Sequence, residues 1–225
     1  MNIALRVLCL IIGYMCGLIE TGVIYGKMKG VDIRKHGSGN LGMTNALRVL
    51  GPKAGLVVFI GDLLKSFIPC LIANIVFRNI YPDTYMVYVL YTGLGAVLGH
   101  NFPFYMKFKG GKGISSSAGA IIGLLNPWMM LILLILFVIV VLITHYVSVG
   151  SIILMVGYVV TFIAFALNGL LCFDQSIPES KNVMIESIIL SVILAVLAIC
   201  RHKDNIKRLM RHEEHKLSFH KSEEK

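Results

Sequence analysis

The chain has 225 residues, of which 56% are apolar and only 15% charged, with a mean hydropathy of +0.79 and a formal net charge of +9. Soluble domains carry about 25% charged residues, so the composition excludes an ordinary soluble domain and predicts an all-α integral membrane protein. The five cysteines, Cys9, Cys16, Cys70, Cys172 and Cys200, lie in or at the ends of apolar runs with no CxxC pair, which points away from a disulfide framework or a cysteine metal site.

About 20 apolar residues in a helix cross the hydrocarbon core, and on that measure seven segments qualify as candidate spans: 3–24, 54–77, 84–105, 114–126, 128–147, 150–173 and 183–200. The first lacks a small-residue cleavage site and is followed by further apolar segments, so it is read as a span and not as a signal peptide. Between the first and second spans lies Gly37-Ser38-Gly39-Asn40-Leu41-Gly42-Met43-Thr44-Asn45-Ala46-Leu47-Arg48. Its glycines fit the dinucleotide pattern G-x-G-x-x-G, but a charged stretch precedes them and no strand does, so that reading fails. The physical content remains: glycines let the backbone approach an anion, Ser38, Asn40, Thr44 and Asn45 add neutral donors, and Arg48 adds a planar fork suited to phosphate or carboxylate. Within the second span, Asp62 and Lys65 stand three residues apart at a depth where ionisable groups are costly, and form a candidate supporting ion pair.

The third span runs into Gly99-His100-Asn101-Phe102-Pro103 and then Lys107-Phe108-Lys109-Gly110-Gly111-Lys112-Gly113. The Gly-Gly-Lys-Gly turn leads directly into an apolar helix, whose free N–H groups and positive dipole end suit an anion. His100, Gly110, Gly111, Lys112 and Gly113 are therefore candidate site residues. The fourth segment is short, ending at Asn126-Pro127, and is either a partial span or one arm of a long hairpin. Ser148 and Ser151 follow His145-Tyr146 at the end of the fifth. After the last span, Arg201 to Glu214 forms a basic helix-forming segment in which His202, Asn205 and Leu209 share a face; the basic tail runs over 201–225.

The segments 25–53, 106–113 and 201–225 carry 6, 3 and 8 Lys/Arg, whereas the opposite connections carry only Arg78 and Lys181. The positive-inside rule then places the N-terminus outside and the C-terminus and all three clusters in the cytoplasm.

Taken together, these motifs resemble the bacterial acyl-phosphate:glycerol-3-phosphate acyltransferase (PlsY) family over nearly the whole chain. The pattern G-S-G-N-x-G-x-T-N-x-x-R falls on Gly37 to Arg48, G-H-x-F-P-x-x-x-x-F-K-G-G-K-G on Gly99 to Gly113, D-x-x-K on Asp62 and Lys65, Y-x-S-x-x-S on Tyr146, Ser148 and Ser151, and H-x-x-N-I-x-R-L-x-x-G-x-E on His202 to Glu214. The sequence departs from the family at Leu18, Glu20, Met43, Ser66 and His212, the last in place of a glycine. The resemblance implies a single polytopic domain, localised to the bacterial plasma membrane, that transfers an acyl group from a fatty acyl phosphate, not acyl-CoA, to glycerol 3-phosphate and makes lysophosphatidate for phospholipid synthesis. In that scheme Ser38, Arg48, Lys112, His202 and Asn205 are the catalytic candidates. Gly37, Gly39, Asn40, Thr44, Asn45, His100, Gly110, Gly111, Gly113, Ser148 and Ser151 bind substrate. Arg48, Ser38, Thr44 and Asn45 hold glycerol phosphate, and Lys112 with the Gly110–Gly113 backbone holds the acyl phosphate. No cofactor, metal or nucleic-acid partner is expected; the partners are the two substrates and membrane lipid. The competing expectations are a transporter of phosphorylated anions, or a divergent paralogue with another acceptor or no catalysis.

Overall fold

The computed structural model describes residues 2–171 and 180–216, and every regular element among them is helical. In chain order they are α1 (Ile3–Gly17), α2 (Thr21–Met28), a short turn of helix at Ile33–Lys35, α3 (Met43–Leu50), α4 (Pro52–Ile80), α5 (Tyr85–Asn101), a second such turn at Phe104–Met106, α6 (Ile114–Ile122), α7 (Pro127–Thr144), α8 (Val147–Leu167), α9 (Lys181–Arg201) and α10 (Lys203–Met210). Residues 172 and 173 of the expected sixth span, Cys172, and the tail beyond 216 lie outside the described residues.

Five helical stretches are long and apolar enough to cross a membrane: Ile3–Met28, Pro52–Ile80, Pro127–Thr144, Val147–Leu167 and Lys181–Arg201. Their outward faces carry large apolar side chains such as Ile11, Ile72, Leu134, Val160 and Ile193, which a lipid solvent accepts without cost. The third expected span is α5, 17 residues long and buried on all sides; α1, α4, α6 and α9 pack around it.

Close approach of α1 to α5 rests on two facing small-residue pairs, Gly13 with Gly17 and Gly95 with Gly99. A Cβ at Gly13 or Gly17 would strike the α5 backbone at Thr92 or Ala96, and one at Gly95 or Gly99 would strike the α1 backbone at Leu10 or Tyr14. In lipid, helices associate through such backbone-close packing because no hydrophobic force separates helix from solvent.

Two expected spans change shape. The first is interrupted: α1 ends at Gly17 and α2 begins at Thr21, with Glu20 buried in the break. The fourth shrinks to the nine residues of α6, about 14 Å of helix at 1.5 Å per residue, against a hydrocarbon core of about 30 Å. Irregular backbone inside a membrane protein needs internal hydrogen bonds, and asparagines provide them. Asn74 Nδ2 donates to the Gly123 carbonyl (3.2 Å), and Asn126 caps α7 through Met129 N while its Nδ2 donates to Leu170 O (2.7 Å). At that end of the bundle Arg6 binds Glu186 through Nε–Oε1 (2.6 Å) and Nη2–Oε2 (2.8 Å), with Tyr91 donating to the same carboxylate. The polar motifs gather at the other end.

Candidate active site

A cavity of about 320 Å³ opens at the basic end of the bundle. The first polar loop, the α6 N-terminus, the start of α8 and the α9–α10 junction all reach it. Its wall contains Ser38, Asn40, Thr44, Asn45, Arg48, Asp62, His100, Lys112, Gly113, Ser148, Ser151, His202 and Asn205. Gly37, Gly39, Gly110, Gly111 and Lys65 stand behind the wall. Arg208, Glu214, Ser115 and His215 also line it, beyond the site residues proposed from sequence.

The first loop is organised by Asn45. Its Oδ1 accepts from Ser38 N (2.8 Å), and its Nδ2 donates to Asn40 O (2.9 Å), His36 O (3.1 Å) and Ile33 O (3.2 Å). The side chain expected to donate to a substrate therefore spends its donors on the loop itself, and at 2% exposure it is a keystone. Gly37 (φ +61°) and Gly39 (φ +69°) take the left-handed turns this wrap requires, and a side chain at Gly37 would overlap the Asn45 amide. Asn40 Oδ1 accepts from Gly42 N (3.0 Å), closing the chain into α3. On α3, Thr44 and Arg48 are one turn apart and so share the cavity-facing side.

In the second loop, the Gly110 N–H donates to Asn101 O and the Gly111 N–H to His100 O, each at 3.1 Å. Those two amides fasten the loop to α5 and are not open to an anion. The donors that remain are at Lys112, Gly113 and the first turn of α6, where helix geometry leaves N–H groups unpaired. Burial, with the Arg208 charge next in weight, pushes the Lys112 ammonium down to about 8.

The third cluster hangs on the break between α9 and α10. His202 Nδ1 lies 2.8 Å from Ala198 O; a carbonyl only accepts, so Nδ1 carries the proton and Nε2 keeps its lone pair. Burial holds this imidazole down at about 4, neutral near pH 7. Asn205 Nδ2 donates to Glu214 Oε1 (2.9 Å) and Arg208 Nε to Glu214 Oε2 (2.8 Å). Glu214 returns to these partners because α10 ends in a left-handed residue: Glu213 N bonds Arg208 O, His212 N bonds Leu209 O, and His212 has φ +58°. That is the Schellman geometry in which glycine is preferred, which explains the family glycine that His212 replaces.

Behind the cavity, the Asp62–Lys65 pair is part of a larger buried cluster. Lys65 Nζ donates to Ile19 O (2.6 Å) and His100 Nδ1 (2.8 Å) and forms an ion pair with Asp62 Oδ1 at 3.2 Å, an oxygen that has no hydrogen-bond partner. The Ile19 carbonyl is free to accept because the helix breaks there. Glu20 Oε1 lies 3.9 Å from Lys65 Nζ and Oε2 3.4 Å from His100 Nδ1, yet neither oxygen has a hydrogen-bond partner. Glu20, Asp62 and His100 bring possible ligand atoms within 4.8 Å of one another, a grouping the sequence did not announce. The Lys65 ammonium already stands among them as the cation.

An apolar helical bundle of this kind, with a cationic, donor-rich cavity at one end and the apolar side chains Phe59, Phe137, Val141 and Val147 in the same wall, defines an integral membrane protein that handles phosphorylated, lipid-like molecules. The model of the glycerol-3-phosphate acyltransferase family matches residues 7–212, and the chain belongs to that family. It is 40% identical to the glycerol-3-phosphate acyltransferase of Macrococcus caseolyticus, covering 95% of this chain and 98% of the relative. To the Bacillus subtilis enzyme of the same name it is 36% identical, covering 94% and 97%. The crystal structure of PlsY, an integral membrane glycerol 3-phosphate acyltransferase, in its glycerol 3-phosphate form matches with a TM-score of 0.78 at 33% identity, over 95% of this chain and 96% of that one. Its lysophosphatidic acid form matches with a TM-score of 0.76 at 32% identity.

Proposed function

We propose that this protein transfers the acyl group of a fatty acyl phosphate to the 1-hydroxyl of glycerol 3-phosphate at the cytoplasmic face of a bacterial plasma membrane. The observation that carries the proposal is convergence: residues from three separated motifs meet in one cavity that joins the cations Arg48, Lys112 and Arg208 to an apolar wall. Convergence at one end of the bundle suits chemistry at a membrane interface, whereas a transporter places its site near mid-membrane between related halves.

Arg48, Ser38 and Thr44 hold the phosphate of the acceptor. Lys112 and the free amides at the start of α6 hold the acyl phosphate, whose chain runs past Phe59, Phe137 and Val141 toward lipid. The hydroxyl oxygen attacks the acyl carbonyl carbon, the bond from that carbon to the phosphate oxygen breaks, and inorganic phosphate leaves. The hydroxyl proton passes to a phosphate oxygen, so no protein base is required. His202 Nε2 accepts a hydrogen bond in this scheme, orienting a hydroxyl or a protonated phosphate. Among the described residues no hydrogen bond joins Ser38 Oγ to an imidazole, and a serine nucleophile needs such a base. Removing one donor aimed at developing charge typically costs about 10²–10³ in rate.

The test is phosphate release from palmitoyl phosphate by detergent-purified protein, with and without glycerol 3-phosphate, alongside Lys112→Ala. Acceptor-dependent release that yields lysophosphatidate and falls at least about 100-fold in the variant supports the reading. A folded wild-type protein that releases no phosphate overturns it and leaves a paralogue with another acceptor or no catalysis.

A further inference from the structure

The glycine loop at 110–113 is fastened on both sides, by α5 and by the end of α9. On the α5 side, the Gly110 and Gly111 N–H groups bond to Asn101 O and His100 O. On the other side, the carbonyls of the same residues accept from Arg201, the last residue of α9. Arg201 Nη2 reaches Gly110 O at 2.8 Å and Gly111 O at 2.9 Å, and Nε reaches Gly111 O at 3.1 Å. The guanidinium carbon lies 5.3 Å from the centre of the Phe102 ring, so the fork is also held by a ring face. No carboxylate pairs with this cation among the described residues; its ligands are the two carbonyls.

The consequence follows from peptide geometry. A planar peptide fixes its N–H opposite its C=O. Gly111 O and Lys112 N belong to one peptide, so drawing that carbonyl toward Arg201 turns the Lys112 N–H the other way. Lys112 and Gly113 line the cavity, and Arg201 does not. The residue that follows Arg201 is His202, whose neighbours Asn205 and Arg208 also line the cavity, so the same side chain couples the α9–α10 junction to the loop.

We propose that Arg201 is a positioning residue for the phosphate-binding loop: by holding the Gly110 and Gly111 carbonyls it aims the Lys112 amide, and with it the first turn of α6, at a substrate phosphate. The role needs donors held in one fixed orientation, which a rigid planar guanidinium lying on the Phe102 ring supplies; a lysine ammonium has three donors but carries them as a compact point charge on a flexible stem, without the planar fork. It rests on the anion-binding part of the function proposed above.

The experiment compares wild type with Arg201→Lys and Arg201→Gln in detergent, reading KM for palmitoyl phosphate, KM for glycerol 3-phosphate, kcat and the apparent melting temperature. A second arm needs no turnover and records how far inorganic phosphate raises the melting temperature of each protein. The expected result is that both variants melt within a few degrees of wild type, lose most of the phosphate-induced rise, and show about a tenfold or larger increase in KM for one phosphorylated substrate. An increase confined to palmitoyl phosphate supports the loop as the donor-substrate cradle; an increase confined to glycerol 3-phosphate keeps the role of Arg201 and assigns the loop to the acceptor. Rescue by Lys, kinetic constants and phosphate response unchanged in both variants, or loss of activity only in step with loss of melting temperature would overturn the proposal. A wild-type protein that binds phosphate but releases none from palmitoyl phosphate counts against the proposed reaction alone, and the phosphate arm still decides the role of Arg201.

Discussion

At the scale of the residue, Lys112 shows how burial turns a general attraction into a titratable one. Its ammonium is pushed down to about 8 by burial, with Arg208 contributing in the same direction, so the free enzyme loses this positive charge as pH rises through that value. If Lys112 holds a substrate phosphate, kcat/KM is at its plateau well below pH 8 and falls above it, because kcat/KM reports the free enzyme. The bound phosphate restores the charge, so kcat itself declines at a higher pH. A pH profile measured from 6 to 10 checks this, and Lys112→Arg, whose charge does not titrate in that range, should flatten the alkaline limb. A kcat/KM profile with no alkaline limb near 8 in wild type would remove Lys112 from the role. The sequence showed which residues carry donors but not where the donors point. Asn45 and the Gly110 and Gly111 amides were assigned to substrate from residue type, and all three are spent on the protein's own carbonyls. Arg201 is illegible in the sequence for the reverse reason. A terminal arginine on an apolar span looks like an interfacial anchor until its carbonyl partners are known.

At the scale of the element, hydropathy located the helices well and their ends poorly. Hydropathy records what lipid tolerates, whereas helix ends depend on local hydrogen bonds. The run 114–126 carries no charge, yet α6 stops at Ile122; Asn74 takes up the freed Gly123 carbonyl and Asn126 caps the helix that follows. The run 3–24 has only Arg6 and Glu20 as charged residues, yet it breaks where the Ile19 carbonyl turns to Lys65. Packing between elements has its own test in the α1–α5 contact. Gly95→Val places a Cβ against the Leu10 carbonyl and the Tyr14 amide. These are backbone atoms that cannot rotate away, so the helices must separate. Overpacking of a well-packed core costs about 1–3 kcal/mol or more, and separating α1 from α5 also moves His100, so activity should fall together with apparent melting temperature. Leu134→Val, on the exposed face of α7, should change neither. Wild-type melting for Gly95→Val would mean the α1–α5 approach does not contribute to stability.

At the scale of the whole molecule, charge is sorted in two ways. Exposed cations gather at the cavity end, which was legible from sequence because loop charges can be counted. Buried charges form two interhelical clusters, Arg6 with Glu186 and Lys65 with Glu20, Asp62 and His100, which were not legible because their partners lie far apart in the chain. The second cluster ties the α1–α2 break to α4 and α5 and backs the cavity through Asp62 and His100. Its balance is uneven. Lys65 donates to His100 and the Ile19 carbonyl and pairs closely with Asp62 Oδ1 at 3.2 Å, whereas Glu20 stands 3.9 Å from the ammonium and neither of its oxygens has a hydrogen bond. A buried carboxylate without hydrogen bonds is costly, whereas removing the shared cation strands two carboxylates at once; loss of one partner of a buried pair costs about 3–5 kcal/mol. Glu20→Gln should therefore leave the apparent melting temperature unchanged or raised, and Lys65→Met should lower it sharply. Adding Glu20→Gln to Lys65→Met should recover part of that loss, since one of the two stranded carboxylates is gone. Thermal unfolding of the four proteins in detergent, followed by tryptophan-independent light scattering or thiol-reactive dye uptake, decides it. A fall in stability for Glu20→Gln as large as that for Lys65→Met would show that Glu20 is a working partner of Lys65, and that the departure from the family at this position strengthens the helix break instead of straining it.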